Sequence, residues 1–402
     1  MLSLFMPQPK NKMSNTTILV EPLCTDFEHV SFNTAILQML KETYPNNHFL
    51  FLFDTRYRIE LNKEVIANSQ LQIEHINIAN RNSRSTDRII TDFLVVLKAI
   101  RIAQRRNAFL IFTSSNITSL ISAHLLARIY PKVKILFVFH SVLEDLGRRT
   151  HLHPIKELPF NTKFWIPRLI NRNIFYLLLG EHILRNVLHL YPQLANTLIA
   201  IDPPYIFKSS QTYGIDHKDT LRFGALGVGH MNKGTDIFFE LAKHQPNKQS
   251  QNKNEFVLVG HITDQVLKKR YAKNVRILSN APLSETEYEQ GVKDIDYAVF
   301  CYHRDSYRFT ASAAFLDAIS FAKPIIAIKN PFFNYYFRLL GKIGYLCNTL
   351  EEMICLINHP QIRDNKNYLG MVNNILTNRQ QIGLSNIGMK LKQALDLRGC
   401  LL

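Results

Sequence analysis

No run of apolar residues in this 402-residue sequence approaches the ~18 of a membrane-spanning helix; the longest, such as Ile174 to Leu179, fall far short. Met1 to Met6 is too brief for the apolar core of a signal peptide, and Cys400, third from the end, does not complete a prenylation box. Membrane contact is therefore expected to be peripheral. Cysteine is scarce: Cys24, Cys301, Cys347, Cys355 and Cys400 are odd in number and far apart, with no Cys-x-x-Cys pair to seat zinc or run redox exchange. A disulfide framework is excluded, and a reducing cytoplasm is the expected location, with attachment to the inner membrane face left open. There is one tryptophan, Trp165, and no stretch matches a full dinucleotide fingerprint or a Walker loop.

What is present is a chain that folds. Hydrophobic residues make up 46% and charged residues 20%, the balance of a globular protein of two or three domains. The formal charge is +16, which favours a phosphate-bearing ligand, nucleic acid or an anionic membrane surface. The excess is spread evenly, +8 in residues 1–205 and +8 in the remainder, so a nucleic-acid stripe is not expected.

Apolar runs of four to seven residues alternate with amphipathic segments. Strands are expected at Thr17 to Val20, His48 to Phe53, Leu71 to Ile76, Phe109 to Phe112, Val133 to Phe139, Ile174 to Leu179 and Leu198 to Ile201, with helices at Val30 to Thr43, Asp87 to Arg106 and Ile117 to Tyr130. Asp202-Pro203-Pro204 and a polar stretch interrupt the pattern, which then resumes. Further strands are expected at Arg222 to Leu226, Phe256 to Val259, Val275 to Leu278, Tyr297 to Phe300 and Ile325 to Ile328. The helices between them are Asp236 to Lys243, Asp264 to Ala272, Glu285 to Lys293 and Thr310 to Phe321. The reading is α/β: two Rossmann-like domains facing across a cleft, 1–205 and 206–380, and a terminal helix in 381–402 that crosses back to brace the first.

Ligands of open parallel sheets collect beyond the carboxyl ends of the strands. In the second half, Gly224 to Gly234 follows a strand and opens a helix; Gly227 and Gly229 allow close approach of an anion, and Lys233 adds a point charge. After the strand Tyr297 to Phe300 comes a polar loop from Tyr302, and the small residues Thr310, Ala311, Ser312 and Ala313 begin a helix whose N–H groups suit a diphosphate. Asp317, about two turns in, is placed to accept from a ribose, or is a surface aspartate on a well-capped helix.

This series resembles the glycosyltransferases of the GT-B fold, in particular the bacterial sugar transferases that build surface polysaccharides from nucleotide sugars. Phe223 to Gly234 is similar to their glycine loop and Lys-Gly pair, Phe256 to Gly260 to their Val-Gly strand end, and Asp317-Ala318 with Lys323 to Ala327 to their acidic helix and following strand. The resemblance implies transfer of a sugar from a nucleotide-diphosphate donor, held by the second domain, to a saccharide or lipid-linked saccharide. Members commonly carry two glutamates eight positions apart; Asp317 stands at the second and Phe309 at the first, so stereochemistry and donor identity are not carried over. Val228 stands where an arginine often meets the donor phosphate; Tyr307, Arg308 and His230 are the substitutes on offer, with Arg308 favoured because a guanidinium binds bidentately. A GT-B-like nucleotide-sugar epimerase and a non-catalytic sugar-binding scaffold are the alternatives.

In the first half, His140 and Glu144 follow a strand; His140 resembles the histidine that such enzymes present to the reacting sugar, to orient a hydroxyl or accept its proton. His29 and Asn33, after the first strand, are acceptor-side candidates. No cofactor or metal is expected. Asp294-Ile295-Asp296 precedes a strand rather than ending one, which fits capping or solvation, and His151-Leu152-His153 lacks a spaced third ligand. On the helix Asp87 to Arg106, Ile89, Ile90, Phe93, Leu94, Leu97 and Ile100 are expected to form the buried face, while Lys98, Arg101, Arg105 and Arg106 share another that meets anionic lipid or simply solvent. Lys163 to Leu169 sets Trp165 beside two cations, a composition suited to a membrane interface or to an aromatic core anchor.

Overall fold

Short runs rich in Val, Ile, Leu and Phe become strands buried on both faces, and that is how the chain is organised in the computed structural model. It describes residues 16–400 apart from 27, 58–70, 81–82, 141, 148–157, 209–213, 216–218, 245–252, 265–266, 268–273 and 304–305. The described residues separate into two compact units, 1–204 with 384–402, and 205–383.

The first unit runs β1 (Thr16–Val20), α1 (Val30–Thr43), β2 (His48–Asp54), β3 (Leu71–Ile76), α2 (Ser85–Arg106), β4 (Phe109–Phe112), α3 (Ile117–Ile129), β5 (Ile135–Phe139), α4 (Thr162–Trp165), β6 (Ile174–Leu179), α5 (Glu181–Leu190) and β7 (Leu198–Ile201). Its seven strands lie in the order β3-β2-β1-β4-β5-β6-β7, all neighbours parallel. Every residue of β4, β5 and β6 is buried.

The second unit runs β8 (Thr220–Leu226), α6 (Thr235–Leu241), β9 (Lys253–Val259), β10 (Val275–Ile277), α7 (Glu285–Asp294), β11 (Tyr297–Phe300), α8 (Ala313–Ser320), β12 (Ile325–Ile328), α9 (Pro331–Leu340), β13 (Gly344–Cys347), α10 (Leu350–Asn358) and α11 (Asn365–Asn378). Its sheet order, β10-β9-β8-β11-β12-β13, repeats the plan of the first, again wholly parallel. In both sheets the strand order reverses beside the first strand, between β1 and β4 and between β8 and β11, and such a switch point opens a crevice at the carboxyl ends. A last helix, α12 (Leu384–Asp396), belongs to the first unit: it packs along α1 with Ile387, Leu391 and Leu395 buried, and Gly388 lies against Thr43 and Met39.

Four differences from expectation have physical causes. β13 and α9 were not anticipated: Gly344–Cys347 opens on a glycine and leaves Tyr345 and Leu346 half-exposed, and every residue of α9 but Pro331, Asn334 and Arg338 is aromatic or leucine, although Phe332, Phe333, Tyr336 and Leu340 form its buried face. α8 begins at Ala313 rather than Thr310, because Ser312 is extended and its hydroxyl accepts from the Phe315 N–H as an N-cap. The helix expected at Asp264 to Ala272 lies outside the described residues apart from Asp264 and Leu267. The buried face of α2 is corrected: Asp92, Val95, Val96, Ala99, Ile100 and Ala103 point inward, and Ile90, Phe93 and Leu94 stand exposed. α2 packs tightly on α3, a contact that admits small and branched residues in preference to long ones.

Candidate functional site

Each switch point carries a cluster of polar side chains. In the second unit, the chain leaves β8 at Leu226 and turns through Gly227 to a single 3-10 turn, Met231–Lys233, that leads into α6. Two glycines make the approach possible. Gly234 has φ +66, and a Cβ there would lie 1.7 Å from the Cys301 carbonyl oxygen; Gly260 has φ +156, and its Cβ would meet the Gly227 carbonyl oxygen at 2.0 Å. The loops after β8, β9 and β11 are thus in backbone contact.

That contact changes the role of the glycine loop. The Gly227 N–H donates to Val259 O (2.9 Å) and the Gly229 N–H to His261 O (2.7 Å), while those of His230, Asn232, Lys233 and Gly234 are engaged within the turn. The amides of Gly227 and Gly229 thus tie the loop to the end of β9. The cation remains. Lys233 is half-buried, its Nζ 3.3 Å from where a Gly227 Cβ would stand, and it lines a cavity with Leu226, Val228, Thr235, Cys301 and Tyr302. Burial lowers its pKa, and the carboxylate of Asp317 opposes that shift.

Asp317 faces inward from α8. Tyr205 Oη and Tyr288 Oη each donate to it, one to each carboxylate oxygen, both at 2.8 Å. Burial raises the pKa of Asp317 against the pull of those two hydrogen bonds and of Lys233. The surface-aspartate alternative is thereby set aside, and each oxygen retains a second lone-pair direction. Tyr205 and Tyr288 were not singled out in the sequence; their partner is 112 and 29 residues away, and nothing local marks them.

The remaining donor-side candidates divide. Tyr302 is 3% exposed, shares a 2.8 Å hydrogen bond with the Ser312 hydroxyl and stacks on Tyr307 at 4.1 Å, so it braces the loop while lining the Lys233 cavity. Thr310 and Ala311 precede α8 and are half-buried; Ala313 is exposed at its first position, where helical N–H groups precede the first intrahelical bond. The Arg308 guanidinium lies over the ring of Phe309, which is 4% exposed. Asp296 of the Asp-x-Asp sequence is buried and takes the Arg222 N–H at 2.8 Å, bonding two strand ends together.

In the first unit the centre is a residue the sequence reading passed over. Glu21, immediately after β1 and fully buried, accepts from Leu23 N (3.0 Å), Cys24 N (3.1 Å), Asn33 Nδ2 (2.9 Å), Thr113 Oγ1 (3.1 Å) and the Ser114 hydroxyl. It joins the ends of β1 and β4 to α1. Asn33 is also fully buried, its amide donating to Glu21 and to Tyr57 Oη (2.7 Å), so it positions the network and does not meet an acceptor directly. His29 does stand at the surface of this cluster. It precedes α1 at φ 56, its Nδ1 is 3.2 Å from Cys24 Sγ, and its ring lies 4.2 Å from that of His140, which Phe32 closes from the side at 4.8 Å. Sequence placed His29 and His140 in separate roles; the fold makes them one pair. Glu144 begins a 3-10 turn, Glu144–Leu146, and is half-buried. His151 and His153 lie outside the described residues.

Among the described residues, Glu21, Cys24 and His29 form the group of three whose ligand atoms lie within 4.8 Å of one another. Five donors already surround the Glu21 carboxylate, so its oxygens serve the network first. Burial, with His29 alongside, pushes the His140 pKa down to about 3. Its proton is therefore bound more readily by the unfolded chain, and stability is expected to fall as pH drops from about 6.5 to 3, by up to ~1.4 kcal/mol per unit. Urea unfolding at pH 7, 5 and 4 checks this: His140→Asn should flatten the slope, and an unchanged slope would contradict it.

No family model matches this sequence, and no curated protein matches it. Solved structures do. The α,α-trehalose 6-phosphate synthase of Burkholderia multivorans aligns at TM-score 0.64 and 10% identity over 96% of this chain and 99% of its own. Anabaena HepE, solved in complex with UDP-glucose, aligns at 0.60 and 11% over 95% and 99%. A glycosyltransferase from Rickettsia africae aligns at 0.61 and 12% over 96% and 98%. Among the described residues no helix is long and apolar enough to cross a membrane. With its two parallel sheets in Rossmann order and these neighbours, the chain has the GT-B fold of the glycosyltransferases.

Proposed function

We propose that the protein is a glycosyltransferase that moves a sugar from a nucleoside-diphosphate sugar to a hydroxyl of a saccharide or lipid-linked saccharide. The observation that carries this reading is Lys233, a half-buried cation at the switch point of the second sheet, within electrostatic reach of Asp317 and its two tyrosines. A leaving diphosphate develops negative charge, and a preorganised ammonium in a poorly hydrated pocket stabilises it more strongly than water would. The first N–H groups of α8 and the Arg308 guanidinium are further partners for that charge, and a free lone pair on Asp317 suits a ribose hydroxyl. The reading assigns no metal, because these groups supply the positive potential.

On the acceptor side, His29 and His140 present imidazoles at the carboxyl end of the first sheet, with Glu144 following. His140, held neutral, is a poor proton acceptor but a good hydrogen-bond partner, so it orients the acceptor hydroxyl. Anabaena HepE, which binds UDP-glucose, supports a nucleotide-sugar donor for a chain of the same fold.

A second reading, a sugar-binding scaffold without turnover, is favoured by Phe309: a core phenylalanine occupies the place of the first glutamate. Product analysis separates them. Incubated with a panel of nucleotide sugars, a transferase releases nucleoside diphosphate only when a saccharide acceptor is added. An epimerase alters the sugar without acceptor, and a scaffold binds and releases nothing; either result would overturn the transferase reading.

A further inference from the structure

The corrected face of α2 has a second aspect. Its exposed stripe runs Ile90, Phe93, Leu94, Lys98, Arg101 and Arg105, so the apolar and basic residues share one surface instead of opposite ones. α2 and α3 lie side by side: Asp92 takes hydrogen bonds from Asn116 and Thr118 at the start of α3, and Arg101 donates to Tyr130 Oη just past its end. α3 in turn packs against the segment 158–165. α3 exposes Leu125 and Ile129, and the segment 158–170 exposes Leu158 and Ile170. Seven of the thirteen large apolar side chains exposed among the described residues thus sit on three neighbouring elements.

The same elements are strongly cationic. Residues 85–106, 117–129 and 158–170 hold eight Lys and Arg, and Asp87 is their sole exposed acid. Scattered exposed leucines need no explanation, but their concentration amid one sign of charge does. A second copy of the chain is a poor occupant, since a two-fold contact would set this cationic surface against itself. Nucleic acid would satisfy the cations and leave the apolar side chains in water. An anionic lipid bilayer satisfies both: phosphate headgroups meet Lys98, Arg101 and Arg105, while Ile90, Phe93 and Leu94 enter the acyl boundary.

We propose that the α2–α3 face of the first unit docks on an anionic membrane surface. This is independent of the donor-site reading, since it needs no nucleotide sugar. The test is flotation of the full-length protein with vesicles of phosphatidylcholine alone or mixed with phosphatidylglycerol. Strong partitioning into the anionic vesicles and weak partitioning into the neutral ones is expected. A Lys98→Gln, Arg101→Gln, Arg105→Gln variant should bind on the order of 100-fold more weakly, at about fivefold per cation. An Ile90→Ser, Phe93→Ser, Leu94→Ser variant should lose at least tenfold, and should retain none of the binding that survives in high salt, where charge attraction is screened. All six side chains are exposed or half-exposed, so both variants should melt as the parent does. Met389→Ser, on exposed α12 surface, should float unchanged. Equal binding to neutral and anionic vesicles, variants that float like the parent, or self-association removed by the serine variant without vesicle binding would each overturn the proposal.

Discussion

Replacing Glu21 by alanine is expected to cost about 3–5 kcal/mol of stability, a large share of the 5–15 kcal/mol typical of folded proteins. The carboxylate is fully buried, and five donors from three parts of the chain converge on it: two amides of its own turn, the Asn33 side chain on α1, and Thr113 and Ser114 after β4. A buried donor left without an acceptor costs about 1–3 kcal/mol, and water entering the vacated space would recover only part of five such losses. Glu21→Gln keeps the shape but turns an amide N–H₂ toward groups that themselves donate, so it should also destabilise. Urea unfolding followed by circular dichroism measures both variants. A loss below 1 kcal/mol for Glu21→Ala would show that β1, β4 and α1 are held together by packing alone.

Lys233→Met should lower affinity for nucleotide sugars by about 10- to 100-fold, the range expected for losing a charged hydrogen-bond partner. The same change should leave the melting temperature unchanged or raise it. Burial already disfavours the ammonium, and methionine lines the same cavity without a charge to desolvate. Affinity and stability moving in opposite directions distinguishes a binding cation from a structural one. Because the Lys233 pKa is depressed, donor affinity should begin to fall at a lower alkaline pH than an ordinary lysine would give, as the ammonium loses its proton. Calorimetric titration with UDP-glucose and other nucleotide sugars reads all of this. Unaltered affinity would remove Lys233 from the donor site.

How far the sequence could be read depended on whether the determining contact was local. Strands such as Phe109–Phe112 and Ile174–Leu179 were legible because burial on both faces leaves an uninterrupted apolar run. The glycine loop was legible as a turn, but the partners of its amides were not, since Val259 and His261 lie some thirty residues on. α2 misled for a related reason: leucine and isoleucine outrank valine and alanine in hydrophobicity, yet Val96, Ala99 and Ala103 are buried beside Ile100 while Ile90, Phe93 and Leu94 stand exposed. Glu21 looked like an ordinary acid after a strand, and only the fold shows that Asn33, Thr113 and Ser114 need it. Tyr205 and Tyr288 escaped notice in the same way, because a tyrosine acquires its meaning from the carboxylate it reaches.

The return of α12 to α1 has a bearing on how the protein is made. The first unit is interrupted in the chain, its seven strands ending near Pro204 and its last helix beginning at Leu384. At roughly 5–20 residues per second a ribosome needs on the order of 10–40 s to span that gap. During that interval α1 is uncovered where Met39 and Thr43 receive Gly388, and Tyr205–Gly383 is free to fold first. Truncation near residue 380 would make that transient condition permanent, leaving a sticky half-finished unit and a finished neighbour on one polypeptide.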